Sequence, residues 1–362
     1  MRRCLSFAFL ALVLVTGVRG EGLPSTAWKE VIEPTEAQEF AQAAVMINQL
    51  QQYLAGKGDG TLRRGFHAKT HASLAGEFKV LEGIPEYARF GIFKEAKTYV
   101  AYGRFSNGVG SVERDGKGDV RGFAFKVMGA TGPMLEAEED GQLTQDFLMT
   151  NNPVSPARSG SQFLAFARAA MAGPIKALPV LIRDLGFIEA TRMVTFLATH
   201  VNRTIRSMAL ENYWSGGAIK LGPYAVKFML RPAGAAASSL PAGPVNYLRD
   251  ELKNRLAMAD VKFDFLVQFW NDPKKTPIED ASIEWKEQDA PFLKLAELTF
   301  HRRDLDSADA KAEQARVDAM TFNPWHAPED LRPVGNIMRV RRAVYASSAR
   351  FRKKQQTPAR SE

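Results

Sequence analysis

The spacing of apolar residues changes several times along the chain, and each change marks an element. Residues 34–56 carry Ala41, Ala44, Ile47, Leu50 and Leu54 at helical spacing, which predicts a helix. Three glycines in the five residues from Gly56 to Gly60 end it. Between His67 and Met128 the pattern becomes aromatic and β-branched, interrupted by glycines. Glu77 to Leu81, Thr98 to Phe105 and Gly122 to Val127 read as antiparallel strands. Helical spacing returns over 161–210, in two apolar segments around Leu164 and Leu181 separated at Gly173-Pro174. Strands are predicted again at Tyr224 to Leu230, Val261 to Trp270 and Leu293 to Phe300, with a small-residue loop from Gly234 to Ser239. A last helix covers Ile337 to Arg352. Helix, strands, helices, strands, helix is the order of a mixed α+β domain and not of alternating βαβ units.

The first 20 residues stand outside this pattern. Arg2 and Arg3 precede a short apolar run, Leu5 to Val15, and Val18 and Gly20 are small residues at cleavage spacing. This reads as a secretory signal over 1–20, with the mature chain periplasmic or secreted. The run is shorter than the roughly 20 residues that span a bilayer, and no second such run follows. Residues 21–362 then form one domain, with a basic tail after about residue 352. Cys4 is the only cysteine, so a processed chain has no disulfide, thiolate metal site or cysteine nucleophile. Removal of Arg2, Arg3 and Arg19 takes the formal charge from +8 to +5. No basic patch with interleaved aromatics points to nucleic acid.

Candidate chemistry begins in the last helix. Arg341 and Tyr345 are four residues apart and share a face, and Arg352 lies seven beyond Tyr345. A guanidinium fixed beside a tyrosine favours the phenolate form, a hard anionic ligand for ferric iron. An Arg–Tyr pair one turn apart is, taken alone, usually a pair of surface neighbours. Near the N-terminus lies Arg64-Gly65-Phe66-His67-Ala68-Lys69. Further on come Arg104-Phe105-Ser106, Arg121-Gly122-Phe123-Ala124-Phe125-Lys126 and the segment Asp146 to Pro153.

In that order and spacing, the chain resembles the catalase superfamily, in its short catalase-related branch. The family's R-x-x-H-A-K-G corresponds to Arg64 to Thr70, its R-F-S to Arg104 to Ser106, and its R-G-F-A-x-K to Arg121 to Lys126. D-L-x-G-N-N-x-P corresponds to Asp146 to Pro153. Tyr213-Trp214-Ser215 and Phe322-Asn323-Pro324-Trp325 resemble further landmarks, and R-x-x-x-Y corresponds to Arg341 to Tyr345. The match runs from about residue 60 to residue 352. It implies an antiparallel β-barrel of the catalase type with flanking helices, holding a b-type haem. It also implies roles: His67 as distal acid–base, Asn151 as the distal amide, Ser106 as support for His67, and Tyr345 as iron ligand beside Arg341. Arg64, Arg104 and Arg352 would neutralise the haem propionates, and three guanidiniums suit two buried carboxylates.

The chain departs from the family at three places. Ungapped spacing from Asp146 puts Thr150, not Asn151, at the key asparagine. Ala346 to Arg352 lacks the family's aspartate and histidine. Val154-Ser155-Pro156 replaces paired phenylalanines, which changes the wall of the haem pocket. The resemblance implies a peroxidase or weak catalase acting on hydrogen peroxide or organic hydroperoxides, with an unidentified electron donor. The alternatives are a hydroperoxide-rearranging enzyme like the catalase-related allene oxide synthases, and a haem carrier or sensor without turnover. The rearranging enzymes carry a threonine just before the distal histidine, where this chain has Phe66. His71, His200, His301 and His326 lack ligand-like neighbours in sequence and read as structural. Oligomeric state is left open, with a homo-oligomer among the outcomes.

Overall fold

The computed structural model describes residues 22–137, 141–234, 237, 243 and 245–356. The signal expected over 1–20 and most of the loop expected over 234–239 lie outside them. Seven α-helices are described: α1 Glu36–Lys57, α2 Gly160–Ala172, α3 Pro174–Leu185, α4 Phe187–Val201, α5 Tyr247–Met258, α6 Ala308–Ala319 and α7 Asn336–Gln356. The strands are β1 Thr70–Val80, β2 Thr98–Asn107, β3 Arg121–Met128, β4 Thr144–Thr150, β5 Tyr213–Ser215, β6 Ala218–Leu221, β7 Tyr224–Pro232, β8 Val261–Phe269, β9 Phe292–Phe300 and β10 Pro333–Val334.

Antiparallel pairing runs β1-β2-β3-β4-β5-β7-β8-β9 and returns to β1, closing an eight-stranded barrel. β6 and β10 extend the sheet beyond β7. Closure leaves the eight strands no free edge to cover.

Alternation along the strands fills the barrel with rings. On β3, Phe123, Phe125 and Val127 are buried inside. Phe105 and Phe123 stack with centroids 4.2 Å apart, and Phe147 packs 4.9 Å from both Phe125 and Phe265. An aromatic core gains from large apolar area and from offset and edge-to-face pairing. Phe147 touches Phe78, Phe125, Phe228 and Phe265 and is fully buried. Phe147→Ala is expected to cost about 3–5 kcal/mol, because the rings around it cannot collapse into the space. A lower urea midpoint with an unchanged denaturant slope is the result to look for.

The alternate residues of β3 and β4 point outward, where a second shell covers them. Lys126 and Asp146 are register partners, with Nζ 2.7 and 2.8 Å from the two carboxylate oxygens. His326 Nδ1 lies 3.1 Å from the same carboxylate, which gives this histidine a structural role.

The helices form two groups. α1 packs on α7, where Asn48 Nδ2 donates to Ser347 Oγ at 3.0 Å. α2, α3 and α4 form a layer around Ala165, Ala169, Leu181, Ala190 and Met193. The sequence predicts two apolar segments here, broken at Gly173-Pro174. Three helices are found, because Gly186 (φ 79°) makes a second break like that of Gly173 (φ 81°). α7 continues to Gln356, four residues past the expected end, so the basic run Arg350 to Lys354 is helical.

Candidate functional site

A cavity of about 550 Å³ lies where the barrel, α1, α2, α4 and α7 meet. Its lining is mostly apolar, including Phe66, Leu148, Phe163, Phe166, Phe322 and Val340. Of the eight residues expected at the site, seven line it: Arg64, His67, Arg104, Ser106, Arg341, Tyr345 and Arg352. They come from three parts of the chain, the segment before β1, β2 and α7, gathered by strand pairing and by the packing of α7 on α1.

His67 precedes β1 and is the only non-glycine residue with positive φ (59°) among the described residues. That conformation is costly for a residue with a Cβ, so it must be held from outside. The holds are visible. The His67 backbone N–H donates to the Gly108 carbonyl at 2.8 Å, and its carbonyl accepts from Arg104 Nη2 at 2.9 Å. The ring lies against Gly122, where a Cβ would stand 2.3 Å from Nδ1, so the glycine of Arg121-Gly122-Phe123 makes room for the imidazole.

His67 Nδ1 is 2.8 Å from the Asn107 carbonyl and 3.2 Å from Ser106 Oγ. A carbonyl only accepts, so Nδ1 carries the proton and Nε2 is the basic nitrogen. Burial, then the charge of Arg104, lower the His67 pKa to about 4, against the opposing hydrogen bond of Asn107; Arg341 and Arg64 add smaller pushes the same way. The imidazole is therefore neutral at neutral pH. A protonated ring cannot accept a proton. Activity that depends on Nε2 is expected to stay level as pH falls from neutral and to be lost through about pH 4. A pH–rate profile of kcat/KM on the free enzyme checks this, and a loss near the ordinary histidine value would show the depression to be absent.

Tyr345 lies on α7 with Arg341 one turn before it. Arg341 Nη2 donates to Tyr345 Oη at 3.2 Å and Nη1 reaches Met338 Sδ at 3.3 Å, which holds the guanidinium beside the phenol. Among the described residues no group of three or more His, Cys, Asp or Glu side chains could hold a bare metal ion.

Arg64, Arg104 and Arg352 crowd one end of the cavity. Burial lowers the pKa of all three, and proximity to one another lowers those of Arg64 and Arg352 further. One carboxylate of the chain answers them. Asp318, at the end of α6, accepts from Arg104 Nε, Thr70 Oγ1 and Ser73 Oγ, each at 3.0 Å. Arg64 Nη2 donates to the carbonyls of Asp318 and Met320. Three cations, Arg104 buried and Arg64 and Arg352 partly so, against one carboxylate leave this end of the cavity short of negative charge. Arg352 Nε and Thr321 Oγ1 are buried without a hydrogen-bond partner among the described residues, and both residues line the cavity. Unmet donors beside excess positive charge fit a bound molecule that ends in carboxylates. Sequence reasoning missed Asp318.

Asn151 is the exception. Its Oδ1 accepts from the Arg121 backbone N–H at 2.7 Å, and its Nδ2 donates to Glu211 at 3.0 Å. The side chain is held away from the cavity, whose lining includes Thr150 and Asn152 on either side of it. Thr150 pairs with Gly122 across β3 and β4, next to the histidine ring. The ungapped spacing, and not the one-residue shift that favours Asn151, gives the residue the structure puts there.

No protein-family profile matches the chain. It is 25% identical over 314 residues to a protein named catalase-related peroxidase from Mycolicibacterium paratuberculosis, covering 81% of this chain and 87% of that one. Among solved structures it superposes on a fungal catalase and on catalase A from Saccharomyces cerevisiae. Each has a TM-score of 0.63 at 18% identity over 80% of this chain. A bacterial catalase gives 0.61 at 18% identity over 97% of the chain. The chain spans 59%, 61% and 67% of those three structures. The fold is that of the catalases.

Proposed function

We propose that this chain, which belongs to the catalase superfamily, binds a b-type haem in the cavity and consumes peroxides there as a peroxidase or weak catalase. The observation that carries the proposal is an apolar cavity lined by a neutral histidine, an arginine-backed tyrosine and an arginine cluster with unmet donors. When bound, the haem would supply the iron that exchanges electrons with peroxide. Tyr345 Oη would be the ligand for that iron, held in place by the hydrogen bond from Arg341 Nη2. Arg64, Arg104 and Arg352 would hold the two propionates, with Arg352 Nε and Thr321 Oγ1, unpartnered among the described residues, as further donors. No Cys-x-x-Cys-His for covalent attachment occurs in the sequence.

His67 then does the proton work. Nε2 takes the proton from a hydroperoxide and returns it to the departing oxygen, while the Asn107 carbonyl and Ser106 Oγ fix the ring. Apolar walls keep bulk water from competing as a proton partner. Phe66, just before the histidine, turns toward Phe163 and Phe166 at 5.5 and 6.4 Å and offers the imidazole no hydrogen bond. This supports peroxide consumption over hydroperoxide rearrangement. Val154, Ser155 and Pro156 line the cavity where the family has bulkier rings, which suits an organic hydroperoxide as well as hydrogen peroxide.

The experiment is to reconstitute the protein with haem and follow loss of hydrogen peroxide and of an organic hydroperoxide. Consumption of at least one is expected. Stoichiometric haem with neither consumed would favour a carrier or sensor. Arg341→Leu should weaken iron binding by about 10–100-fold, the usual cost of losing a group that supports a ligand. A haem titration of the variant checks this, and unchanged affinity would remove Arg341 from the account.

A further inference from the structure

We infer that the α2–α4 layer is a docking surface for an anionic lipid bilayer. α3 is amphipathic, with a wide apolar face and with Lys176 and Arg183 together on a narrow polar strip. Ala177, Val180, Leu181, Ile182 and Leu185 face the layer's own core, yet Ile175 and Leu178 are 91% and 45% exposed. At the turn from α3 into α4, Phe187 and Ile188 are 70% and 80% exposed. The apolar face of such a helix is ordinarily buried against a partner. Here the outward residues have no cover among the described residues.

Charge decides between the candidates for what covers them. Residues 160–201 hold four cations, Arg168, Lys176, Arg183 and Arg192, against two anions, Asp184 and Glu189. Both anions are engaged, Asp184 by Arg168 and Arg183, and Glu189 by Arg158 and Arg192. The charged residues exposed on α3 and α4 are Lys176 and Arg183, the latter ion-paired to Asp184, and neither helix exposes a carboxylate. Projecting apolar side chains with cations near them suit a surface of apolar tails under anionic headgroups. Side chains this exposed project from the surface. A bilayer accepts them without the shape complementarity that a protein face requires.

The layer is also a wall of the cavity. Phe163, Phe166 and Ala170 of α2 and Leu197 and Val201 of α4 line it. Docking would therefore set one apolar wall of the cavity beside the membrane, a favourable place for a hydroperoxide carried by lipid. The docking itself does not depend on haem, so failure of the test below leaves the proposed activity standing.

The test is flotation of the full chain with vesicles of phosphatidylcholine, with and without phosphatidylglycerol. Three chains are compared: the parent, Phe187→Ser/Ile188→Ser, and Lys176→Gln/Arg183→Gln. All share the apolar N-terminal run, so differences between them report the layer alone. The parent should bind vesicles containing phosphatidylglycerol far better than phosphatidylcholine alone. Each double variant should lose at least about tenfold in affinity for the anionic vesicles. Matching thermal melts would show that the variants keep the fold, as substitutions of exposed side chains should. Equal binding by all three chains, or none by the parent, overturns the inference. So does a lipid-free dimer that Phe187→Ser/Ile188→Ser dissociates, since the patch would then belong to a second copy.

Discussion

Tyr345→Phe should yield a folded protein that no longer retains haem iron in its native state. The substitution removes one oxygen and keeps the ring, which packs against Leu148, Phe322 and the barrel core. Stability should therefore change little. The loss of iron affinity should exceed the roughly 10–100-fold that losing a mere supporting group costs, because the substitution removes the atom proposed as the ligand. Peroxide consumption should fall with it. The expected signature is a ferric absorption spectrum unlike the parent's, together with faster transfer of haem to a competing apoprotein. An unchanged spectrum would mean that the iron is held by another atom.

His67→Ala should separate catalysis from haem binding. The arginine cluster and Tyr345 are untouched, so haem content should stay near that of the parent. The turnover rate should drop by about 10²- to 10⁴-fold, the usual contribution of a positioned acid–base group. The pH dependence should also change, since the group whose loss of activity is expected near pH 4 would be absent. Alanine at this position keeps the positive φ and its strain, so some change in stability is expected and should be measured separately. A variant as active as the parent would place the proton transfer elsewhere, and Thr150 and Asn152 would be the next groups to examine.

Much of the barrel was legible because its strands carry long aromatic and β-branched side chains. The ends of β2, β3, β7, β8 and β9 agree with their expected spans within two residues. β4 was read only as a motif, since Asp146 and Thr150 hide the alternation that buries Phe147. α5 and α6 were not anticipated. Their sequences, Tyr-Leu-Arg-Asp-Glu-Leu and Ala-Asp-Ala-Lys-Ala-Glu, are largely polar, and they bury narrow stripes such as Leu248, Leu252 and Leu256.

The site divides the same way. His67, Arg341 and Tyr345 could be found because their motifs are local. Asp318 could not, because the contact that gives it meaning joins it to Arg104 across 214 residues, and an aspartate ending a polar helix carries no signal. Asn151 shows the converse. A motif names a residue type, but strand register decides which of two neighbours faces the cavity. Here the pairing of Gly122 with Thr150 puts Asn151 on the other side. Likewise the buried histidines His71 and His326 have roles set by distant partners, Asn107 and Asp146, that no sequence neighbour discloses.

One haem in this cavity is proposed to make the chain a peroxide-consuming enzyme. The most direct measurement is a haem titration of the purified apoprotein in which peroxide loss is followed at each addition. The account predicts activity that rises in proportion to bound haem and saturates at one haem per chain. Saturable binding with no peroxide loss, or peroxide loss no greater than that of free haem, would contradict it.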